Sequence, residues 1–272
     1  MRVYIRGALV GAMLLALEPV SAAATELAVQ PFRDILIRPV PGYTAACTTT
    51  ATHANRSRNI DHEIIVVVAD GRGSRIRTLT NHADGTTLEF ETRFDEAGLV
   101  VGGPQVKQAG VIRADEESRL AANMLKKGME NTVYIGRPVS SGDDVVSPAT
   151  PEEIEAYVDT MILDRRGTIQ NWRESGQIRG RLSHETFGEV VVLEWNIGAV
   201  MTTGNGVVRM TGQGIEYYST QSGIVVSAYY SLRYANRVAT WGSDIKYGCR
   251  YVVTPSVAAA ATAIVTPAAA ER

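Results

Sequence analysis

The segment Ile224-Val225-Val226-Ser227-Ala228-Tyr229-Tyr230-Ser231-Leu232-Arg233-Tyr234 alternates along its whole length. Ile224, Val226, Ala228, Tyr230, Leu232 and Tyr234 fall on one face, and Val225, Ser227, Tyr229, Ser231 and Arg233 on the other. Successive side chains of a strand point to opposite sides of a sheet, so this period of two predicts a long half-buried antiparallel strand. Val191, Leu193, Trp195 and Ile197 repeat the pattern upstream. Near the other end, Leu88, Phe90, Thr92 and Phe94 share one face while Thr87, Glu89, Glu91 and Arg93 share the opposite one. One face of each strand wants a core and the other wants water.

The intervening residues read as turns. Asp70-Gly71 and Asp84-Gly85 supply positive φ at low cost and predict hairpins, which makes Ile64–Val68, Arg75–Thr80 and Thr86–Phe94 a meander. It continues beyond Asp95-Glu96-Ala97-Gly98 into Leu99–Val101. In the second half, Glu174-Ser175-Gly176, Asn205-Gly206 and Thr220-Gln221-Ser222-Gly223 read as further hairpin turns. Gly180, Gly198, Gly212 and Gly214 lie inside strand-like runs, where such a sheet would bend or bulge.

Two helical stretches interrupt the strand pattern. Ala114–Met129 is rich in good helix formers. Thr150, Pro151 and Glu153 form an N-cap, a first-turn proline and a capping box ahead of an apolar stripe of Ile154, Tyr157, Val158, Met161 and Ile162, predicting a helix over 150–163. Between them, residues 137–150 begin with Arg137-Pro138-Val139-Ser140-Ser141-Gly142-Asp143-Asp144, whose composition suits a connection between two halves. The fold class expected is therefore mainly β, a β-rich α+β fold. It has one curved antiparallel sheet or two similar ones, open as a half-barrel, with two helices covering one face.

The first residues have the order of a signal peptide: basic Arg2 and Arg6, an apolar run from Ala8 to Ala16, and small residues Val20–Ala24. That run is shorter than the about 20 residues a membrane span needs, and no later stretch supplies one. Residues 1–23 are read as the signal peptide, 24–254 as a single β-rich domain, and the Ala-rich 255–272 as a disordered tail. Removing the leader takes two of 27 basic and one of 29 acidic residues, leaving a net charge of −3. Nucleic acid is not an expected partner, because the basic residues are scattered singly rather than gathered on a face. The compartment expected is the periplasm, with the extracellular space as the alternative. Cys47 and Cys249 are the only cysteines. In an oxidising compartment such a pair reads as a disulfide tying the first strand to the last.

No motif demands a particular chemistry. Asp61-His62-Glu63 and His184-Glu185 set histidine beside carboxylates, but neighbours on a strand diverge. Ser57 or Ser74 with His53 or His82 lacks a nucleophile elbow. Gly204-Asn205-Gly206 and Gly212-Gln213-Gly214 precede strands rather than a helix N-terminus, which excludes a phosphate loop. No catalytic residue, metal ligand or cofactor is assigned. Trp195, Tyr218, Tyr230, Leu232 and Tyr234 form either core or an apolar wall, and are the expected ligand-facing set.

Two segments carry a resemblance. Arg137–Asp143, between two β-rich halves, and Gly214-Ile215-Glu216-Tyr217-Tyr218-Ser219-Thr220-Gln221-Ser222-Gly223-Ile224-Val225-Val226 resemble uncharacterised proteobacterial periplasmic β-sheet proteins. The second segment, an aromatic strand turning at Thr-x-x-Gly, also looks like the half-barrels of LolA-type lipoprotein carriers. The resemblance implies a curved sheet capped by helices whose concave face holds acyl chains. The expected role is a non-catalytic carrier of a hydrophobic small molecule or lipid, or an envelope scaffold. The alternative is a periplasmic hydrolase assembled from dispersed His184, Glu185, Asp61 and His62.

Overall fold

The computed structural model describes residues 29–252 apart from 54–55, 83–86, 109–110, 113–133, 135, 146–148, 158–166 and 205. The leader, the Ala-rich tail and the stretch 114–129 fall outside the described residues. One antiparallel sheet holds twelve strands: β1 (Thr44–His53), β2 (Arg56–Asp70), β3 (Gly73–His82), β4 (Thr87–Phe94), β5 (Val100–Gln108), β6 (Val111–Ile112), β7 (Asp144–Val145), β8 (Gly167–His184), β9 (Gly188–Thr203), β10 (Gly206–Ser219), β11 (Val225–Ala235) and β12 (Thr240–Tyr251). A single described helix, α1 (Pro151–Tyr157), precedes β8.

The strand order is β6-β5-β4-β3-β2-β1-β12-β11-β10-β9-β8-β7. Each half is a meander, and the first strand pairs with the last. Cys47 lies directly opposite Cys249 across that seam and is disulfide-bonded to it. The sheet is not closed into a barrel: its two edge strands are β6 and β7, in the middle of the chain, each two residues long.

The sheet is rolled. β4 and β10 are six strand steps apart, roughly 29 Å along a flat sheet. Yet Phe94 on β4 and Tyr218 on β10 both pack on the ring of Tyr134, with centroid distances of 5.3 and 6.1 Å. Only strong curvature brings them there. The alternating positions predicted to be apolar all face the concave side, including Leu88, Phe90, Thr92 and Phe94 on β4 and Val226, Ala228, Tyr230, Leu232 and Tyr234 on β11.

A strap of residues 29–43 closes one end of the roll, which the sequence did not foretell. Gln30 pairs with Arg181, Ile35 with Val139, the Val40 amide donates to Ser222 O, and the Gly42 amide to Val67 O. Its own Phe32 and Ile37 side chains are buried. The strap passes so close to Gly223, at φ 68°, that a Cβ there would collide with the Arg38 carbonyl. Glycine is required on both counts.

Two sequence expectations are corrected. Glu174-Ser175-Gly176 is no turn, because β8 runs through it. The glycine serves a close approach instead: a Cβ on Gly176 would meet the Trp195 ring at 2.6 Å. Gly212 and Gly214 also stay in register with both neighbouring strands. They leave room for Leu232 and Tyr230 to lie over the sheet, whereas Gly180 does sit at a register shift. The capping box forms as read: Thr150 Oγ1 accepts from the Glu153 amide at 3.3 Å, and Glu153 accepts from the Thr150 amide at 2.9 Å.

Candidate functional site in the concave interior

The concave face carries two apolar clusters. One lies at the strapped end and includes Ile37, Val67, Phe94, Ile178, Leu193, Trp195, Tyr218 and Val226. The other includes Leu88, Phe90, Ile154, Trp172, Met210, Leu232, Tyr234 and Ile245. Between them runs a polar belt. Its first part belongs to β2 and β3, where Asp61 is paired with His82 and Glu63 with Thr80. His82 Nδ1 and Asp61 Oδ1 are 2.6 Å apart, with both side chains about 5% exposed. His82 Nε2 is buried and has no hydrogen-bond partner. Thr80 Oγ1 donates to Glu63 at 3.4 Å, and the Tyr247 phenol on β12 also bonds Glu63.

The second part of the belt belongs to β8, β10 and β11. The Tyr218 hydroxyl donates to Glu216 Oε2 at 2.6 Å, and the Tyr230 hydroxyl donates to Glu216 Oε1. The Trp172 indole N–H donates to Glu174 at 3.1 Å. Buried Tyr134 donates to the Gly223 carbonyl.

Burial dominates the electrostatics. It pushes the Glu63 carboxyl up to about 7, helped by the neighbouring charge of Asp61. Thr80, His82 and Tyr247 pull it down by a smaller amount. Burial raises Glu174 as well, with the Trp172 bond opposing. The Tyr218, Tyr230 and Tyr247 phenols are held far above their ordinary value, first by burial and then by facing carboxylates, so they act as fixed hydrogen-bond donors. Glu63 is hemmed in by protein on nearly all sides yet keeps partial solvent exposure, as do Tyr230 and Tyr247.

The expected ligand-facing residues share this concave face but not one role. Trp195, Tyr218, Leu232 and Tyr234 are almost fully buried, as packed core. Tyr234 stacks on Trp241 at 5.9 Å, and Tyr230 alone retains exposure. The dispersed hydrolase set does not assemble. His62 faces outward and bonds Thr48, while His184 and Glu185 belong to the β8–β9 turn, where His184 Nδ1 accepts the Thr186 amide. Asp61 meets His82 instead, because residues equidistant from the hairpin turn pair and adjacent ones diverge. The Asp70-Gly71 turn could have revealed this: Asp61 and His82 each stand nine residues out from the Asp70–Gly73 pair. Among the described residues, no group of three or more His, Cys, Asp or Glu is arranged to hold a metal ion.

No protein family and no curated protein sequence matches the chain, so the likeness to LolA-type carriers gains no sequence support. A solved chain from Bacteroides fragilis, described as a "putative exported protein with YmcC-like fold", is similar over 81% of this chain and 100% of its own. Identity is 11% and the TM-score 0.32, a distance at which the likeness carries no argument about activity.

Proposed function

We propose that this is an exported, non-catalytic binding protein that holds a hydrophobic small molecule or lipid inside its rolled sheet. Export is supported by the leader-like start and by the disulfide at the β1–β12 seam. The observation that carries the binding reading is the partial exposure of Glu63, Tyr230 and Tyr247 on a face that also holds the two buried apolar clusters. A sealed core would leave no room for water beside a carboxyl. Apolar walls with a few convergent polar groups are the usual make-up of a small-molecule site. Native mass spectrometry of protein purified from the periplasm tests this, and a co-purifying ligand is the expected result. Protein that emerges bare, and also fails to take up a fluorescent fatty acid, overturns the binding reading in favour of an envelope scaffold.

One observation favours a second reading, a hydrolase. The Asp61–His82 pair, with Nε2 unpartnered and a carboxyl near neutrality beside it, has the parts of a general base and acid. Ester hydrolysis abolished by His82→Gln, with unchanged thermal unfolding, would select it.

A further inference from the structure

The end of the roll opposite the strap presents apolar side chains to water. There the β9–β10 and β11–β12 hairpins stand side by side, because β10 and β11 are neighbours whose register ends at Arg209 and Ala235. Val207 lies two residues beyond that pair on β10, and residues 236–239 form the turn beyond it on β11. Val238 in that turn is 93% exposed and Val207 57%, while Trp241 keeps partial exposure where it stacks on Tyr234. The turn is held in shape: Asn236 Oδ1 accepts from the Val238 and Ala239 amides, each at 2.8 Å. Turn positions ordinarily take polar residues or glycine, and a valine side chain turned wholly to water adds no packing to this fold.

The charge around these side chains is basic, against the sign of the whole chain. Between Trp195 and Ser243 the sequence has three arginines, Arg209, Arg233 and Arg237, and one acidic residue, Glu216. Glu216 is buried on the concave face, where Tyr218 and Tyr230 bond it. Arg233 is matched by Asp244 at 3.4 Å. Arg209 and Arg237 are exposed, and among the described residues neither pairs with a carboxylate. By contrast Arg75 is matched by Glu91, Arg77 by Glu89 and Arg181 by Glu189. Two uncompensated cations thus stand beside two exposed valines and a tryptophan.

We propose that this end of the roll docks on an anionic lipid bilayer, with Val207 and Val238 entering the headgroup region, Trp241 at its boundary, and the Arg209 and Arg237 guanidinium groups on lipid phosphates. Apolar side chains beside tryptophan and arginine are the make-up of an interfacial membrane contact. The negative potential of such a surface attracts each basic residue brought near it. A protein interface of ordinary size takes about 20–30 residues from each side, whereas a bilayer accepts a narrow apolar tip. The exposed apolar and unpaired basic residues here are a handful on two hairpin ends. The proposal is independent of whether the interior holds a ligand.

The test is co-sedimentation of the full exported protein with phosphatidylcholine vesicles and with vesicles in which about one third of the lipid is phosphatidylglycerol, at about 50 mM and about 200 mM salt. Binding to the phosphatidylglycerol vesicles is expected to be at least about tenfold tighter than to phosphatidylcholine alone, and to weaken at the higher salt as the charges are screened. Val238→Asp and the double variant Arg209→Gln with Arg237→Gln should each lose about tenfold or more on the phosphatidylglycerol vesicles. All three side chains are exposed, so thermal unfolding at the wild-type temperature is expected and reports an intact fold. Wild type that binds both vesicles equally or neither, or binding that the variants leave unchanged, overturns the proposal. A dimer that forms without lipid and is abolished by Val238→Asp overturns it in favour of contact between two copies of the chain.

Discussion

β1–β6 and β7–β12 are two meanders of similar plan, and their concave faces could hardly differ more. In the second half most inward positions are apolar, among them Ile178 on β8, Val191, Leu193, Trp195 and Ile197 on β9, Met210 on β10, and Val226 and Leu232 on β11, with Glu174 and Glu216 as the carboxyls among them. In the first half, β2 and β3 turn Asp61, Glu63, Thr78, Thr80 and His82 to the same interior. The second half also has longer strands, up to 18 residues in β8 against 15 in β2. One half supplies most of the hydrophobic driving force, and the other spends inward positions on polar groups. Proteins depart from local optimality where they have a use for it. The contrast is why the candidate site belongs with β2 and β3.

Cutting the link between the halves should have the largest effect. The disulfide spans 202 residues, and the chain-entropy model gives such a closure roughly 5 kcal/mol as an upper value. Cys47→Ser with Cys249→Ser should lower the urea midpoint accordingly, in a single transition. Two separate transitions would break the picture of one cooperative sheet. Next comes the apolar half: Leu232→Ala should lose about 2–5 kcal/mol, since Leu232 is packed core and the truncation leaves a cavity. A loss below about 1 kcal/mol would mean that the position is not packed core.

The polar half should give itself away through pH. The folded-state value of Glu63 lies above its ordinary one, so the folded protein holds the proton more tightly. Its stabilisation is complete below about pH 4.5 and disappears as pH rises through about 7. Wild type should therefore lose about 2–3 kcal/mol over that interval relative to Glu63→Gln, as read by denaturant unfolding at several pH values. Parallel curves for the two proteins would remove Glu63 from the buried belt. The smallest effect belongs to the outer face: Ser231 donates to Asp244 at 2.9 Å near the surface, so Ser231→Ala should change stability by no more than about 0.5 kcal/mol. Equal effects at positions 231 and 232 would indicate a register slipped by one residue, which exchanges the faces of β11.

Periodicity made the strands legible, and the inward residues of β4, β9 and β11 follow from alternation alone. Turn dipeptides marked the β2–β3 and β10–β11 hairpins, and the capping box marked the start of α1. The Cys47–Cys249 bond was readable by elimination. The strap and the uninterrupted course of β8 were not. Residues 29–43 have no period because they pair by isolated bridges, and Gly176 resembles a turn residue until the Trp195 ring is seen above it.

By itself the sequence determined the class of the fold, because a period of two obliges one face of each strand to be buried. It also determined the pairing of the cysteines, because there are only two. Tertiary structure alone decided that the sheet rolls on itself, that its opening lies between β6 and β7, and that Asp61, Glu63, His82 and Tyr247 converge. Convergence depends on register and curvature. Both are settled by contacts between residues far apart in the chain, where no local pattern of side chains can record them.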